Sequence, residues 1–258
     1  YIYFIYTTLI NMAVGSGLIL LGRGAENRVT RRDGYCIVAF TWLLFTGFGM
    51  LPFYISGSIP SVTDAFFETM SGFTTTGATI LDDIEALSHG MLFWRSFSQW
   101  IGGLGIVFFT IAVLPIFGVG NQVLFSAEAT GVTHDKIHPK ISVMAQCLWT
   151  VYLVLTVAEI VLLLIGGMDL FDAACHAFST TATGGYSTKQ ASVAYWNSPF
   201  IEYVIAIFMI LSGINFSLYF MCMKGRCGQL FKDGELRLYL ISIGAVTLII
   251  TGALYWYN

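Results

Sequence analysis

Long runs without a charged residue dominate the pattern of hydrophobic and polar positions along the chain. Runs that are charge-free, or nearly so, occupy residues 1–22, 34–63, 96–127, 141–165, 203–223 and 238–258. A helix needs about 20 apolar residues to cross a hydrocarbon core of about 30 Å. The pattern therefore predicts six membrane-spanning helices, near residues 1–21, 35–56, 95–117, 143–165, 200–223 and 238–258.

The composition agrees with a membrane protein. Hydrophobic residues make up 56% of the 258 residues, and charged residues only 10%. A soluble domain carries about 25% charged residues, so the polar surface that a water-soluble globule needs is missing. The net charge of −3 gives no reason to expect a nucleic acid as partner. The predicted fold class is an all-α polytopic membrane protein.

Basic residues between the predicted helices indicate their orientation. The linkers at 22–34, 118–142 and 224–237 hold ten of the 12 basic residues, and the opposite side holds only Arg95 and Lys189. Because cytoplasmic loops are enriched in Lys and Arg, these three linkers are predicted to be cytoplasmic. The chain then begins and ends on the outer side.

Acidic residues follow a different distribution. Eight of them fall on the predicted outer side: Asp64, Glu68, Asp82, Asp83, Glu85, Asp169, Asp172 and Glu202. Two interpretations remain open for this group. The residues belong to ordinary solvated loops, or they form a negative vestibule that concentrates cations at the entrance of a pore.

An internal repeat relates two of the outer segments. Residues 64–79 read DAFFETMSGFTTTGAT, residues 172–187 read DAACHAFSTTATGGYS, and the two align without a gap at an offset of 108. The same offset places Gly105 on Gly213, in the helix that follows each segment. Such internal similarity indicates a repeated structural unit. Each unit is predicted to consist of a helix, a half-helix, a returning Thr/Gly-rich segment and a second helix.

The half-helices are too short to cross the membrane. The ten residues from Asp64 to Phe73 reach only about half way across at 1.5 Å per residue. Asp64 and Asp172 are predicted to cap these helices, because a carboxylate accepts from free N–H groups of the first turn. The non-helical backbone that follows is tolerated at membrane depth only where protein encloses it or where it lines a water-filled cavity.

The returning segments have the residue types of an ion filter. Residues 75–79 and 183–187 lie on the potassium-channel filter pattern Thr-Val-Gly-Tyr-Gly, with Gly77 and Gly185 at its first glycine. Such filters hold a dehydrated cation with backbone carbonyls, and glycine allows the left-handed conformation that aims them. The alternative is a pair of Gly/Thr-rich turns without function. The predicted ion-binding carbonyls belong to Thr75, Thr76, Gly77, Ala78, Thr183, Gly184, Gly185 and Tyr186.

Four stretches resemble the potassium-translocating membrane subunit of the Trk/Ktr/HKT superfamily, closest to its bacterial TrkH type. They read SGFTTTGAT at 71–79, FWRSFSQWIGGLGI at 93–106, FDAACHAFSTTATGGYST at 171–188 and LSGINF at 211–216. The resemblance implies potassium uptake through one pore, surrounded by four helix–pore-loop–helix repeats of a single polypeptide. Gly77 and Gly185 match the critical filter glycines. Gly77 favours potassium, since serine at this position accompanies sodium transport in plant relatives.

The resemblance also implies where the protein works and with what. It implies the bacterial cytoplasmic (inner) membrane, a homodimer, and a cytoplasmic ring of nucleotide-binding regulatory subunits of TrkA type. Potassium is expected as the substrate, and no covalent cofactor is expected. The alternatives are a relative permeable to both sodium and potassium and a non-conducting membrane scaffold. No enzyme is expected, because the chain has neither an HExxH metal motif nor a GxxxxGK[ST] phosphate loop.

The predicted organisation has five parts. They are a preceding helix with its linker (1–34), a first repeat (35–120), a cytoplasmic linker (121–142), a second repeat (143–225), and a linker with the first helix of a third repeat (226–258). Two filter segments supply half of a ring and cannot enclose an ion. We therefore expect a fragment of a longer chain, the alternative being two copies that close a pore between them.

Individual residues within the predicted spans also leave alternatives open. Arg95 either anchors the pore segment through Glu68 or extends to lipid headgroups. Glu159 is expected to bond to a neighbouring helix rather than to carry ions, and His176 is expected to pack and hydrogen-bond rather than to bind a ligand. Small residues of the third predicted helix form either a close packing surface or a flexible point: Gly102, Gly103 and Gly105.

Overall fold

The computed structural model of the protein describes residues 2–24, 31–105, 141–223, 228 and 233–257. Within these ranges every regular element is a helix, which confirms the predicted all-α class. The α-helices are α1 (Ile2–Gly22), α2 (Arg31–Gly49), α3 (Leu51–Ile55), α4 (Val62–Phe73), α5 (His89–Gly103), α6 (Ile141–Ile165), α7 (Leu170–Thr181), α8 (Pro199–Ser212), α9 (Phe216–Met223) and α10 (Gly234–Tyr257). A short 3-10 helix, Ser192–Trp196, precedes α8.

Three helices of the described ranges are long and apolar enough to cross a membrane. They cover Ile2–Gly22, Leu148–Ile165 and Gly234–Trp256, and they correspond to the first, fourth and sixth predicted spans. Many of their apolar side chains lie at the surface of the protein, where lipid is a suitable neighbour for a helix whose backbone groups are bonded internally. The chain is a polytopic membrane protein.

The second and third predicted spans differ from the prediction in their bounds. α2 and α3 together cover the second span with only Met50 between them, and Pro52 removes one backbone donor at this point. The third span begins at His89, six residues before the predicted start. Its part beyond Gly105 lies outside the described residues.

The fifth predicted span is interrupted, which the sequence did not predict. α8 and α9 are separated by residues 213–215. Two tyrosine hydroxyls donate to carbonyls at the end of α8: Tyr219 Oη to Leu211 O at 2.7 Å, and Tyr239 Oη to Ile210 O at 3.2 Å. Leu211 O also accepts from Ile214 N at 3.2 Å, so the bond to Ile210 O is the one that replaces a lost helical bond. Both carbonyls are satisfied at the break.

Two short helices, α4 and α7, are enclosed by the longer ones and are the predicted half-helices. Each has 12 residues and is therefore about 18 Å long. α4 packs against α2, α3 and α5, and α7 packs against α5, α6 and α8. Ala65 and Ala173, which are 108 residues apart, are both fully buried within the apolar clusters that hold the two short helices.

The caps of the short helices lie three residues before the predicted ones. The Ser61 hydroxyl accepts from Asp64 N at 3.3 Å, and the Asp169 carboxylate accepts from Phe171 N at 3.1 Å. Asp64 and Asp172 lie inside the first turn, where a carboxylate still interacts favourably with the helix dipole. The predicted caps were wrong because the sequence offers two suitable residues at each entry, and only the path of the chain selects one.

Close packing at the centre of the fold depends on glycines of α5. A Cβ atom on Gly102 would overlap the backbone carbonyl of Phe73, and one on Gly103 would lie 2.8 Å from Cα of Ala182. The packing interpretation is confirmed for both glycines. Gly105 lies just beyond the end of α5, with φ +70°.

Replacement of Gly102 by alanine is expected to destabilise the protein. The new methyl group must displace the backbone of Phe73, and overpacking of this kind costs about 1–3 kcal/mol. The midpoint of thermal unfolding in detergent measures the effect. The control is Gly47→Ala on α2, where a Cβ atom would meet nothing within 4 Å. Equal midpoints for the two variants would contradict the close packing.

Candidate functional site

The chain turns back after each short helix, and the two turns have the same hydrogen bonds. We call residues 75–79 the first returning segment and residues 183–187 the second returning segment. Thr76 N–H donates to Ser71 O at 3.0 Å, and at an offset of 108 residues Gly184 N–H donates to Ser179 O at 2.8 Å. The repeat seen in the sequence is therefore a repeat of backbone structure.

The backbone conformation of the two segments also matches. Thr75 has φ +54° and Thr183 +55°, and two residues further on Gly77 has φ +74° and Gly185 +83°. Thr76 and Gly184, which lie between them, do not have positive φ, so the sign of φ alternates in the same way in both segments. A β-branched residue with positive φ is a genuine outlier that costs about 1–3 kcal/mol and is typical of functional sites.

The two returning segments touch each other. A Cβ atom on Gly77 would overlap the carbonyl oxygen of Gly184, so the absence of a side chain at Gly77 is what permits the contact. Thr76 and Ala78 of the first segment and Gly185 of the second are exposed. Predicted site residues from both units thus come together at Gly77 and Gly184.

Arg95 of α5 links the two segments through charge and hydrogen bonds. Its Nε donates to Glu68 Oε1 at 2.6 Å, and its Nη1 donates to Ser187 O at 3.0 Å. The guanidinium carbon lies 3.6 Å from the centre of the Tyr186 ring, in a cation–π contact. Both partners of the ion pair are buried, with 2% exposure for Arg95 and 1% for Glu68. The anchoring interpretation of Arg95 is confirmed, and the headgroup alternative is wrong.

Glu68 of α4 organises the outer end of the first segment. Its carboxylate accepts from Thr79 Oγ1 at 3.0 Å and from Ile80 N at 3.1 Å. Its backbone carbonyl accepts from Tyr186 Oη at 3.0 Å, and the same hydroxyl lies 3.2 Å from Ala78 O. The tyrosine of the second segment is therefore bonded to the helix and the segment of the first unit.

His176 takes the place of Glu68 in the second unit. It lies 108 residues after Glu68, and its Nε2 is 3.0 Å from the hydroxyl of Ser187, the counterpart of Thr79. Its Nδ1 is 2.8 Å from Asp172 O. The predicted hydrogen-bonding role of His176 is confirmed. In both units a hydroxyl of the returning segment thus bonds to the same position of the short helix. That position is a glutamate in the first unit and a histidine in the second.

The sequence patterns did not predict a role for Gln99. It is fully buried, and its Oε1 accepts from Tyr186 N at 3.2 Å. A Cβ atom on Gly184 would overlap its amide group. The available signal was its spacing from Arg95, since residues four apart lie on the same face of a helix.

Glu159 of α6 lies behind the second short helix. It is fully buried, and its Oε2 accepts from Thr181 Oγ1 at 3.4 Å. Thr181 is the last residue of α7. The expected bond to a neighbouring helix is confirmed.

A cavity of about 300 Å³ lies between the two units, on the side where the short helices begin. Three carboxylates line it, those of Glu85, Asp169 and Asp172, together with Lys189. The Lys189 ammonium lies 3.8 Å from Glu85. Among the described residues, no group of three or more His, Cys, Asp and Glu side chains could hold a metal ion. Neither predicted role of the acidic residues, solvated loop or vestibule, holds for Glu68, because it is buried and paired with Arg95. For the other acidic residues both stay predictions.

Known proteins are similar to this chain in sequence and in fold. Residues 3–252 match the TrkH family, described as a cation transport protein. The chain belongs to the TrkH family. The Trk system potassium uptake protein TrkH of Escherichia coli K12 is 41% identical over 99% of this chain and 53% of its own length. The Trk system potassium uptake protein TrkG of the same strain is 35% identical over 98% of this chain and 53% of its own length.

The fold comparison agrees with the family. The crystal structure of the potassium transporter TrkH from Vibrio parahaemolyticus matches with a TM-score of 0.77 at 36% identity, over 93% of this chain and 49% of that chain. The family resemblance carried by the four stretches is confirmed. This member of the family spans about half the length of the curated relatives it matches.

Replacement of Glu68 by alanine is expected to cost far more stability than the same change at Glu85. Glu68→Ala leaves Arg95 charged and unpaired in a buried position, which costs about 3–5 kcal/mol. Glu85 is 45% exposed and its pair with Lys189 is long, so its loss costs about 1 kcal/mol or less. Thermal unfolding of both variants in detergent provides the measurement. A Glu68→Ala variant as stable as Glu85→Ala would show that the ion pair does not hold the segments.

Proposed function

We propose that this protein takes up potassium across the cytoplasmic membrane of a bacterium, through a pore lined by the two returning segments. The observation that carries the proposal is the matched backbone conformation, with left-handed residues at the same two positions of both segments. A dehydrated cation needs a ladder of inward-pointing carbonyls. The carbonyls that we assign belong to Thr75, Thr76, Gly77, Thr183, Gly184, Gly185 and Tyr186. The carbonyl of Ala78, which was also predicted, is not assigned, because it accepts from Ser71 Oγ at 2.6 Å and lies 3.2 Å from Tyr186 Oη.

The electrostatics of the site favour a cation. α4 and α7 end at Phe73 and Thr181, directly before the returning segments, and the C-terminal end of a helix carries a partial negative charge. Arg95 lies close to both segments, but Glu68 neutralises its charge at 2.6 Å. A potassium ion beside the segments would therefore meet carbonyl oxygens without repulsion from an unpaired cation.

The proposed pore needs more than two filter segments. Repeats at 35–120 and 143–225 are supported by caps, turns and left-handed residues that recur at an offset of 108. Two such repeats supply half of a ring, and the relatives are about twice as long as this chain. We infer that further repeats of the same polypeptide complete the pore, with residues 226–258 leading into a third.

The proposed assembly includes regulatory partners. The relatives are named as parts of a Trk system. The predicted cytoplasmic linkers at 118–142 and 224–237 hold six Lys and Arg residues, and the second linker has a net positive charge. We infer a homodimer that docks on a ring of nucleotide-binding subunits of TrkA type through these linkers. Most of the two linkers lies outside the described residues.

Rubidium flux into liposomes tests potassium selectivity. The intact protein is expected to take up rubidium in preference to sodium, and Gly77→Ser is expected to lower the rubidium-to-sodium ratio. The serine must adopt φ +74° and would displace the Gly184 carbonyl. A cost of about 1.4 kcal/mol corresponds to a roughly tenfold change in the ratio.

The control for this experiment is Gly57→Ser. Gly57 has nearly the same φ, +73°, but a Cβ atom there meets nothing within 4 Å, and the residue lies outside both segments. It should leave the flux ratio unchanged. Equal rubidium and sodium flux through the unsubstituted protein would refute potassium selectivity and favour the sodium-permeable alternative, whereas no flux at all would favour the scaffold.

The partner proposal has its own measurement. The intact protein is expected to co-purify with a soluble nucleotide-binding subunit encoded by the same organism, and adenine nucleotides are expected to change the rubidium flux of the complex. Replacement of Lys224 and Arg226 by serine should weaken the co-purification, because it removes positive charge from a docking linker. Purification without any such subunit, and flux that ignores nucleotides, would refute the proposal.

A further inference from the structure

The second returning segment is held mainly by side chains that belong to the first unit. α5 follows the first segment in the sequence, yet two of its side chains bond to the second segment. Gln99 Oε1 accepts from Tyr186 N, and Arg95 Nη1 donates to Ser187 O. These bonds span 87 and 92 residues of sequence.

The bond from Tyr186 N fixes more than one atom. The amide N–H of Tyr186 and the carbonyl of Gly185 belong to one peptide group, which is planar and trans. In a trans peptide the N–H and the C=O point in opposite directions. Because the N–H is directed at the buried Gln99 side chain, the Gly185 carbonyl is directed away from α5, and Gly185 itself is exposed.

We propose that Gln99 is a positioning residue that sets the direction of the Gly185 carbonyl and thereby the ion selectivity of the second segment. This inference rests on the proposed potassium function. Gly185 has φ +83° and open space around its missing Cβ atom, so packing at Cα does not restrain this peptide group. Without the acceptor, rotation of the peptide would withdraw one carbonyl from the ring that replaces the ion's water.

The glycine pattern of the second segment agrees with this role. Gly184 stands where the first segment has Thr76, and a Cβ atom at Gly184 would overlap the Gln99 amide. The second segment therefore needs an additional glycine because Gln99 approaches its backbone. The counterpart of Gln99 on α8 is Ile207, which is exposed. An isoleucine side chain has no hydrogen-bond acceptor, so the second unit has no equivalent of the Gln99 bond at this position.

The experiment uses the intact protein in liposomes and measures the rubidium-to-sodium flux ratio together with thermal stability. Gln99→Met keeps the length of the side chain but removes the acceptor, and it is expected to lower the ratio about tenfold, the equivalent of ~1.4 kcal/mol. Gln99→Glu keeps an oxygen acceptor and is expected to restore most of the ratio. Ile207→Met is the matched control at the counterpart position and should leave the ratio unchanged.

The outcomes separate this inference from the function on which it rests. An unsubstituted protein without selective rubidium flux overturns the proposed function. A selective unsubstituted protein with an unchanged ratio in Gln99→Met overturns the positioning role. Loss of stability with equal loss of both fluxes also overturns it, because the role would then be structural only. If Gln99→Met does not fold, Gly184→Ala, which displaces the same amide, must lower the ratio, and an unchanged ratio there overturns the inference.

Discussion

The buried ion pair between Glu68 and Arg95 is the interaction on which the rest of the site depends. Two charges removed from water are costly unless their remaining donors and acceptors are also satisfied. Here the carboxylate also accepts from Thr79, and the guanidinium also donates to Ser187 and covers the ring of Tyr186. The need to satisfy both charges therefore ties a short helix of the first unit to the returning segments of both units.

The two units share their backbone but not the chemistry that supports it. The turns after α4 and α7 have the same hydrogen bonds and the same left-handed positions. The supporting side chains have different neighbours and are free to differ. Glu68 is matched by His176, and the buried Arg95 is matched by the exposed Tyr203.

Strain at the returning segments depends on this support. Thr75 and Thr183 hold a conformation that β-branched residues avoid, and such strain persists only where the surroundings determine the backbone completely. The bonds to Ser71 O and Ser179 O fix the start of each segment, and side chains of α5 fix the end of the second. A rigid backbone of this kind would suit the proposed discrimination between ions of the same charge and different size.

Local patterns in the sequence determined the helical membrane class, the repeat, the half-helices and the family, because hydrophobic run length, charge and residue spacing are local properties of the chain. The filter carbonyls stay a prediction that the conformations of Gly77 and Gly185 support. The tertiary structure alone decided that Arg95 pairs with Glu68 instead of reaching the headgroups, and that Gln99 serves the other unit. These contacts depend on which face of α5 meets a segment some 90 residues away, and no local pattern encodes that geometry.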